Sequence, residues 1–200
     1  MYRLYEFSPS GNCYKIRLLL NQLGIPFERI EIDITKGETA NPEFLKKNPN
    51  GRVPVLEIKE DLYLCESNAI LFYLADGTDF LPEDKLQRAS VLQWMFFEQY
   101  DHEPNIATSR YWISILNKAD EYHHELSKKR EAGYEALGVM ESHLAHQSYF
   151  VGNRYTIADI TLYAYTHVAH EGGFDLSKFP AIQKWFKKVE EQPKHLKITD

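Results

Sequence analysis

Asn50-Gly51-Arg52-Val53-Pro54-Val55 and, twelve positions beyond the proline, Glu66-Ser67-Asn68 decide how this chain reads. Val53, Val55, Leu56 and Ile58 form an apolar run with the composition of a strand. A proline cannot donate to a sheet ladder, so Pro54 belongs at a strand start, an edge or a bulge. Two readings follow. Pro54 is an ordinary trans proline opening an edge strand, or the Val53-Pro54 bond is cis and turns the Val53 N–H and C=O outward. Outward main-chain groups can pair with an extended peptide as an added strand does. Further on, Tyr63-Leu64-Cys65 reads as a short strand, and Ser67 stands where an N-cap belongs, ahead of Ala69-Ile70-Leu71-Phe72-Tyr73-Leu74. A helix N-terminus suits a carboxylate, and Glu66 can accept from an ammonium group. Glu66 and Ser67 can therefore clamp both charges at one end of an amino acid, or they are only a solvated side chain and a cap.

Around this stretch the first third of the chain alternates strands with helices. Tyr2 to Phe7 reads as a strand, and Asn12 to Leu23 as a helix with Ile16, Leu19, Leu20 and Leu23 on one face and Gly24 as its stop. Phe27 to Ile34 is a second strand. Asn41 caps a short helix that has Pro42 at its first position and runs to Lys47. Strands Val53 to Ile58 and Leu62 to Cys65 form a hairpin at Glu60-Asp61, and a helix from Ser67 to Asp76 ends at Gly77. The order β-α-β-α-β-β-α is the thioredoxin-like arrangement.

Gly77 to Pro82 reads as a linker, and the pattern beyond it is helical. One long helix is expected from about Glu83 to Leu116, bent near Pro104, and another from about Ala119 to His146. Thr156 and Asp159 form a capping box, with Tyr155 as a staple onto Ile160. The helix from Ile157 to about His170 is apolar most of the way round, which makes it the buried centre of the second half. A last helix, Ala181 to Glu191, carries Ile182, Trp185, Phe186 and Val189 on one face. The fold class is thus an α/β thioredoxin-like N-terminal domain (1–77), a linker (78–84) and an all-α helical domain (85–200).

Composition narrows the function classes. At 44% hydrophobic and 14% aromatic residues the chain can bury a substantial core, which argues against disorder. No apolar run reaches the roughly 18 residues of a membrane span, and the chain starts directly in a strand pattern, so no signal peptide is expected. The net charge of −6 disfavours nucleic acid as a partner. Two cysteines, Cys13 and Cys65, do not make a disulfide framework and point to a reducing, cytoplasmic compartment. His143 with His146, and His167 with His170, have i, i+3 spacing, but no third ligand is evident and no metal is expected. Gly172-Gly173 follows a helix as a stop and is not a phosphate loop.

Taken together, the thioredoxin-like half, the Val53-Pro54 start, the Glu66-Ser67 pair, the linker and the helical half with its Thr156-to-Asp159 box resemble the soluble glutathione transferases over essentially the whole chain. The likeness is to bacterial members with a serine/asparagine-type active site. It implies that Val53, next to Pro54, pairs with the cysteinyl main chain of glutathione, that Glu66 and Ser67 hold its γ-glutamyl end, and that Arg52 belongs to the same binding set. It further implies that the helical domain supplies the pocket for a hydrophobic electrophile, with Tyr100, Arg110 and Tyr111 on its wall. The assembly implied is a homodimer. Glutathione is a co-substrate, and no separate cofactor is implied.

The resemblance places the catalytic position between the first strand and first helix, within Ser8-Pro9-Ser10-Gly11-Asn12-Cys13-Tyr14-Lys15. Registered on Lys15-Ile16-Arg17-Leu18, Ser10 matches the serine of the serine-using classes. Asn12 falls where bacterial beta-class enzymes carry cysteine and some bacterial and fungal relatives use asparagine. The zeta-class pattern Ser-Ser-Cys reads Ser10-Gly11-Asn12 here, which departs from a maleylacetoacetate isomerase. Neither group needs to act as a base. Lowering a thiol from about 8.5 by roughly two pH units takes about 2.7 kcal/mol. A charge-assisted hydrogen bond supplies about 1.5–3 kcal/mol, and a helix N-terminus about 0.3–1 kcal/mol more. Ser10 is therefore assigned the main donor role and Asn12 that of second donor or substitute; plain N-capping is the alternative for both. Cys13, at the same helix, is a rival nucleophile. It lies one residue past Asn12, turned by about 100° away from the pocket. Cys65 reads as a small buried apolar residue at a strand end.

The expected activity is addition of glutathione thiolate to a hydrophobic electrophile. A glutathione-dependent disulfide reductase or peroxidase, or a noncatalytic interaction scaffold on the same fold, are the alternatives.

Overall fold

The computed structural model describes residues 1–200 and divides into two compact units. The first comprises Met1–Asp76 together with Pro193–Asp200, and the second Gly77–Gln192. Residues 193–200, which the sequence reading assigned to the helical domain, thus pack with the N-terminal unit.

The first unit carries a four-stranded mixed sheet: β1 (Tyr2–Glu6), β2 (Phe27–Glu31), β3 (Val55–Lys59) and β4 (Leu62–Cys65), in the order β2-β1-β3-β4. β1 and β2 run parallel, with Tyr2 opposite Phe27 and Glu6 opposite Glu31; β1–β3 and β3–β4 are antiparallel. Helices α1 (Gly11–Leu23), α2 (Pro42–Leu45) and α3 (Ser67–Ala75) complete the thioredoxin-like arrangement. The period-two alternation of the strands sorts the residues between the two faces. Tyr5 and Val55 pack with Phe44 of α2 and with Ile30, Ile32, Val53, Tyr63 and Cys65 on one side. On the other side Leu4 and Leu56 are fully buried, and Glu6 pairs with Arg17 of α1.

Local signals set the boundaries. Gly24 closes α1 in the left-handed conformation (φ 68°), and the Asn41 side chain accepts from Glu43 N–H at the start of α2. The second strand is shorter than the sequence suggests, because Asp33 caps a 3₁₀ turn at Ile34–Lys36. Ser67 is not the N-cap of α3 but its first residue. The cap position is held by Glu66, which makes no side-chain cap bond.

In the second unit, α4 (Lys85–Phe97) and α5 (Glu103–Arg110) form one unbroken winding with π-helical turns at Glu98–His102 and Tyr111–Ile115. Pro104 lacks an N–H and its ring crowds the carbonyl four residues back; a wider turn just before it accommodates both. α6 (His123–Leu144) starts four residues later than the pattern indicates, after a turn in which Trp112 stacks on Tyr122 with centroids 4.3 Å apart. All ten residues of α7 (Ile157–Thr166) are buried, as its all-round apolarity requires. It ends at Thr166 rather than near His170. α8 (Pro180–Glu190) buries Ile182, Trp185 and Val189.

The capping box at Thr156 and Asp159 is formed. Asp159 accepts from Thr156 N–H at 2.9 Å, Trp185 Nε1 at 2.9 Å and Phe150 N–H at 3.2 Å. One carboxylate therefore ties the start of α7 to α8 and to the segment before the helix. Glu141 of α6 similarly accepts from Ala181 and Ile182 N–H at 2.9 Å, capping α8 from outside its own sequence. No helix is long and apolar enough to cross a membrane.

Candidate functional site

The Val53–Pro54 peptide bond is cis. It lies immediately before β3, and Val53 makes no main-chain hydrogen bond within the protein. Asn48 steadies the approach: its Nδ2 donates to Arg52 C=O at 2.7 Å, and its Oδ1 accepts from Asn50 N–H at 3.0 Å. Arg52 itself is exposed, and Pro54 is buried.

Glu66 occupies φ 67°, ψ 114°, an unusual conformation for a residue with a side chain. Such backbone costs on the order of 1–3 kcal/mol and persists where neighbouring structure imposes it, often at ligand-binding positions. Its effect here is to expose the Glu66 carboxylate at the mouth of α3 while Ser67, 5% exposed, turns inward.

Ser67 meets the first turn of α1. Its hydroxyl donates to Asn12 Oδ1 at 3.2 Å, and Lys15 Nζ donates to the same oxygen at 2.8 Å. Lys15 Nζ also lies 3.3 Å from Ser67 Oγ and 3.4 Å from Asn68 Oδ1. This fully buried lysine was not among the expected site residues. The signal available for it was its i, i+3 spacing from Asn12, which puts both side chains on one side of α1. With its proton committed to Asn12, the Ser67 hydroxyl offers lone pairs rather than a donor. A carboxylate at this end therefore meets the first-turn N–H groups and the positive end of α3.

Ser10 caps α1: its Oγ accepts from Cys13 N–H at 3.4 Å. That bond uses a lone pair, and the hydroxyl proton is a separate donor. Asn12 engages Oδ1 with Lys15 and Ser67, which makes Nδ2 the donor edge of its amide. The structure thus brings Asn12 against Ser67, with Ser10 two residues away in the loop that leads into α1.

Cys13 is fully buried, and its sulfur accepts from Phe7 N–H at 3.4 Å. Burial pushes its thiol up to about 12, against the pull of the Phe7 and Ser10 hydrogen bonds. It is a packing residue. Cys65 is only half-buried rather than enclosed, with Sγ 3.5 Å from Lys47 C=O; burial, followed by the nearby Glu66, raises its thiol.

In the helical unit, Tyr100 is 76% exposed and stacks on Phe96, and Tyr111 opens the second π turn, half-buried. Arg110 is tied down within the helical unit. Its side chain is buried, and Nε donates to Glu171 at 2.8 Å, tying α5 to the turn after α7. One histidine of each pair packs: His143 contacts Tyr149 C=O and stacks on Phe150, and His167 contacts Tyr163 C=O and stacks on the Tyr163 ring, whereas His146 and His170 are exposed. No group of three potential metal ligands occurs.

A thioredoxin-like unit with a cis-proline before its third strand, followed by a helical unit with a buried capping-box helix, defines a class of two-domain proteins. Comparison with known proteins says which one. Residues 1–76 match the glutathione S-transferase N-terminal domain and residues 100–193 the glutathione S-transferase C-terminal domain. The chain belongs to the glutathione S-transferase family. A solved structure of a glutathione S-transferase from Pseudomonas fluorescens Pf-5 is 52% identical, covers 100% of this chain and 99% of its own, and superposes with a TM-score of 0.98. The glutathione transferase URE2P6 from Phanerochaete chrysosporium, solved in complex with oxidized glutathione, is 31% identical with a TM-score of 0.83, covering 96% of this chain and 92% of its own. The disulfide-bond oxidoreductase YfcG of Escherichia coli K12 is 28% identical over 194 residues, 94% of this chain and 89% of its own.

Proposed function

We propose that this protein is a glutathione transferase that binds glutathione on its N-terminal unit, stabilises the thiolate at the first turn of α1 and delivers it to a hydrophobic electrophile. The observation that carries this reading is the 3.2 Å contact between Ser67 and Asn12. It sets the candidate γ-glutamyl holder beside the candidate thiolate donor, both within one unit that also presents Val53. In this reading Val53 pairs with the cysteinyl main chain. Glu66 takes the α-ammonium, and the start of α3 takes the α-carboxylate. Arg52 lies at the exposed rim. Ser10 and Asn12 donate to the sulfur. The complex of URE2P6 with oxidized glutathione supports the same ligand here.

Isothermal titration with glutathione, followed by a panel of halo-aromatic, disulfide, hydroperoxide and isomerisable substrates, tests this. Binding together with halo-aromatic turnover supports the transferase; absence of binding leaves a noncatalytic scaffold. The likeness to a disulfide-bond oxidoreductase favours a second reading, disulfide reduction. With Cys13 buried, the attacking sulfur is glutathione's own. It displaces one thiol from the disulfide and forms a mixed disulfide, which a second glutathione resolves to oxidized glutathione and the other thiol. Turnover of disulfides far above halides would select that reading.

The assembly proposed is a homodimer in the cytoplasm. Leu92, Phe96 and Tyr100 succeed one another at i, i+4 and are 37%, 60% and 76% exposed, an apolar stripe suited to a symmetric partner. Light scattering that finds only monomer at micromolar concentration would contradict it.

A further inference from the structure

Lys15 is fully buried, yet its ammonium points at polar side chains from two separate helices. Nζ lies 2.8 Å from Asn12 Oδ1 on α1, and 3.3 and 3.4 Å from Ser67 Oγ and Asn68 Oδ1 on α3. An ammonium has three N–H donors and no acceptor, so each neighbour must present oxygen to it. For Asn12 this decides which way the amide faces. Two donors, Lys15 Nζ and the Ser67 hydroxyl, converge on Oδ1, and the –NH₂ end is held on the other side. The Lys15-to-Ser67-to-Asn12 sequence of donors is also a polarised chain, in which each bond strengthens the next.

We infer that Lys15 is a positioning residue that locks Asn12 as a donor and Ser67 as an acceptor, and so couples the sulfur end of the ligand site to its γ-glutamyl end. This rests on the glutathione reading above and deepens it. A residue kept only for packing in this place would be apolar. Lysine is costly to bury unless its donors are used, and here they are used on the two residues the site depends on. Without Lys15, the Asn12 amide loses its stronger orienting bond and can present oxygen to the sulfur. A carbonyl oxygen facing a thiolate repels it.

The test is Lys15→Met, which keeps length and apolar packing but removes the donors, compared with Lys15→Arg, Asn12→Ala and the Asn12→Ala/Lys15→Met double variant. The readouts are glutathione affinity by titration calorimetry and the pH midpoint of bound-thiolate absorbance in the ultraviolet. Lys15→Met should raise that midpoint by about one pH unit and weaken glutathione about tenfold, the size expected for a hydrogen bond to a charged group. Lys15→Arg should restore most of both. Because Lys15 acts through Asn12, the double variant should move the midpoint no further than Asn12→Ala alone. A purely structural lysine would lower the melting temperature and leave the midpoint in place. If Lys15→Met does not fold, Lys15→Gln is held to the same readouts. Wild-type protein that binds no glutathione overturns both the function and this inference. Wild-type binding with an unchanged midpoint in Lys15→Met, or with additive shifts in the double variant, overturns this inference and leaves the function standing.

Discussion

The guanidinium of Arg17 donates to the main-chain carbonyl of Ile198 at 2.7 Å, a partner 181 positions further along the chain. The same Nη2 reaches Ser8 C=O at 3.1 Å, and Nη1 pairs with the fully buried Glu6. Arg17 is thus the post on which the C-terminal segment, the buried acid of β1 and the loop leading to Ser10 are all fixed. Other side chains of the N-terminal unit hold the same segment by its carbonyls. Tyr14 OH donates to Leu196, Asn21 Nδ2 to Lys194 and Arg29 Nη1 to Asp200, so with Ile198 every second carbonyl is held along a strap that turns at Lys194 and again at Ile198–Thr199.

Arg17→Met should therefore be among the most damaging single changes. Removing one member of a buried ion pair costs about 3–5 kcal/mol because the other charge is left enclosed; Arg29, which also contacts Glu6, keeps the effect toward the lower end. Denaturant unfolding monitored by fluorescence measures it. A loss below about 1 kcal/mol, within the range of an ordinary surface change, would show that the pair does not carry this weight.

Asp159 sets the stability of the helical unit. Asp159→Asn keeps the shape but puts an amide donor either against Thr156 N–H, which Oδ2 receives, or against Phe150 N–H and Trp185 Nε1, which Oδ1 receives. Loss of the cap costs about 0.5–2 kcal/mol and unsatisfied buried donors about 1–3 kcal/mol, so a total near 3 kcal/mol is expected in thermal unfolding. The pH dependence has a definite sign. Burial pushes the Asp159 carboxyl up to about 7, against the hydrogen bonds from Thr156, Trp185 and Phe150. Between its unfolded value near 3.9 and 7, the folded state then binds more protons than the unfolded one. Stability from this group is full below about pH 4 and falls as pH rises toward 7. The gap between wild type and Asp159→Asn should narrow over that interval; a gap that widens would reverse the sign.

Cys13 should be chemically silent. With its thiol near 12 and its sulfur enclosed, iodoacetamide at neutral pH should leave it unmodified, and Cys13→Ala should retain turnover. Mass spectrometry of the labelled peptides reads the first and a steady-state assay the second. Label on Cys13 accompanied by loss of activity would restore it as a nucleophile.

Ser10 and Asn12 are the proposed donors to the glutathione thiolate. Each is expected to contribute about 1.5–3 kcal/mol as a donor to a charged group, which corresponds to about one to two pH units in the bound-thiolate midpoint. Ser10→Ala also loses the α1 cap and should lower stability by about 0.5–2 kcal/mol, an effect that an unfolding measurement separates from the midpoint. If neither variant moves the midpoint, neither side chain touches the sulfur.

What could be read in the sequence is what is decided locally. Gly24 at the end of α1, Asn41-Pro42 at the start of α2 and the Thr156–Asp159 box each satisfy helix ends within a few residues, and each stands as expected. The cis bond at Val53-Pro54 was one of two readings and is the one found. The features missed depend on partners far apart in the chain. The strap at 194–200 is held through its carbonyls by tyrosine, arginine and asparagine donors, so no side-chain pattern in the strap announces it. Lys15 sits among Ile16, Leu18 and Leu19, where a lone lysine suggests a solvated edge; only the approach of α3 shows that it is enclosed. Ser67 was misplaced by one position because the turn at Glu66 takes a positive φ that a glutamate rarely adopts. Arg110 was placed by resemblance alone, and its ion pair with Glu171 is a contact across 61 residues.

The central claim is that glutathione lies along Val53 with its sulfur at the opening turn of α1. A crystal structure of the protein with glutathione tests it most directly. The account requires main-chain pairing between Val53 and the cysteinyl residue, the γ-glutamyl group at Glu66 and the start of α3, and sulfur within about 3.5 Å of Ser10 Oγ or Asn12 Nδ2, the reach of a hydrogen bond to sulfur. Density for the tripeptide elsewhere, or with its sulfur turned away from both side chains, would contradict it.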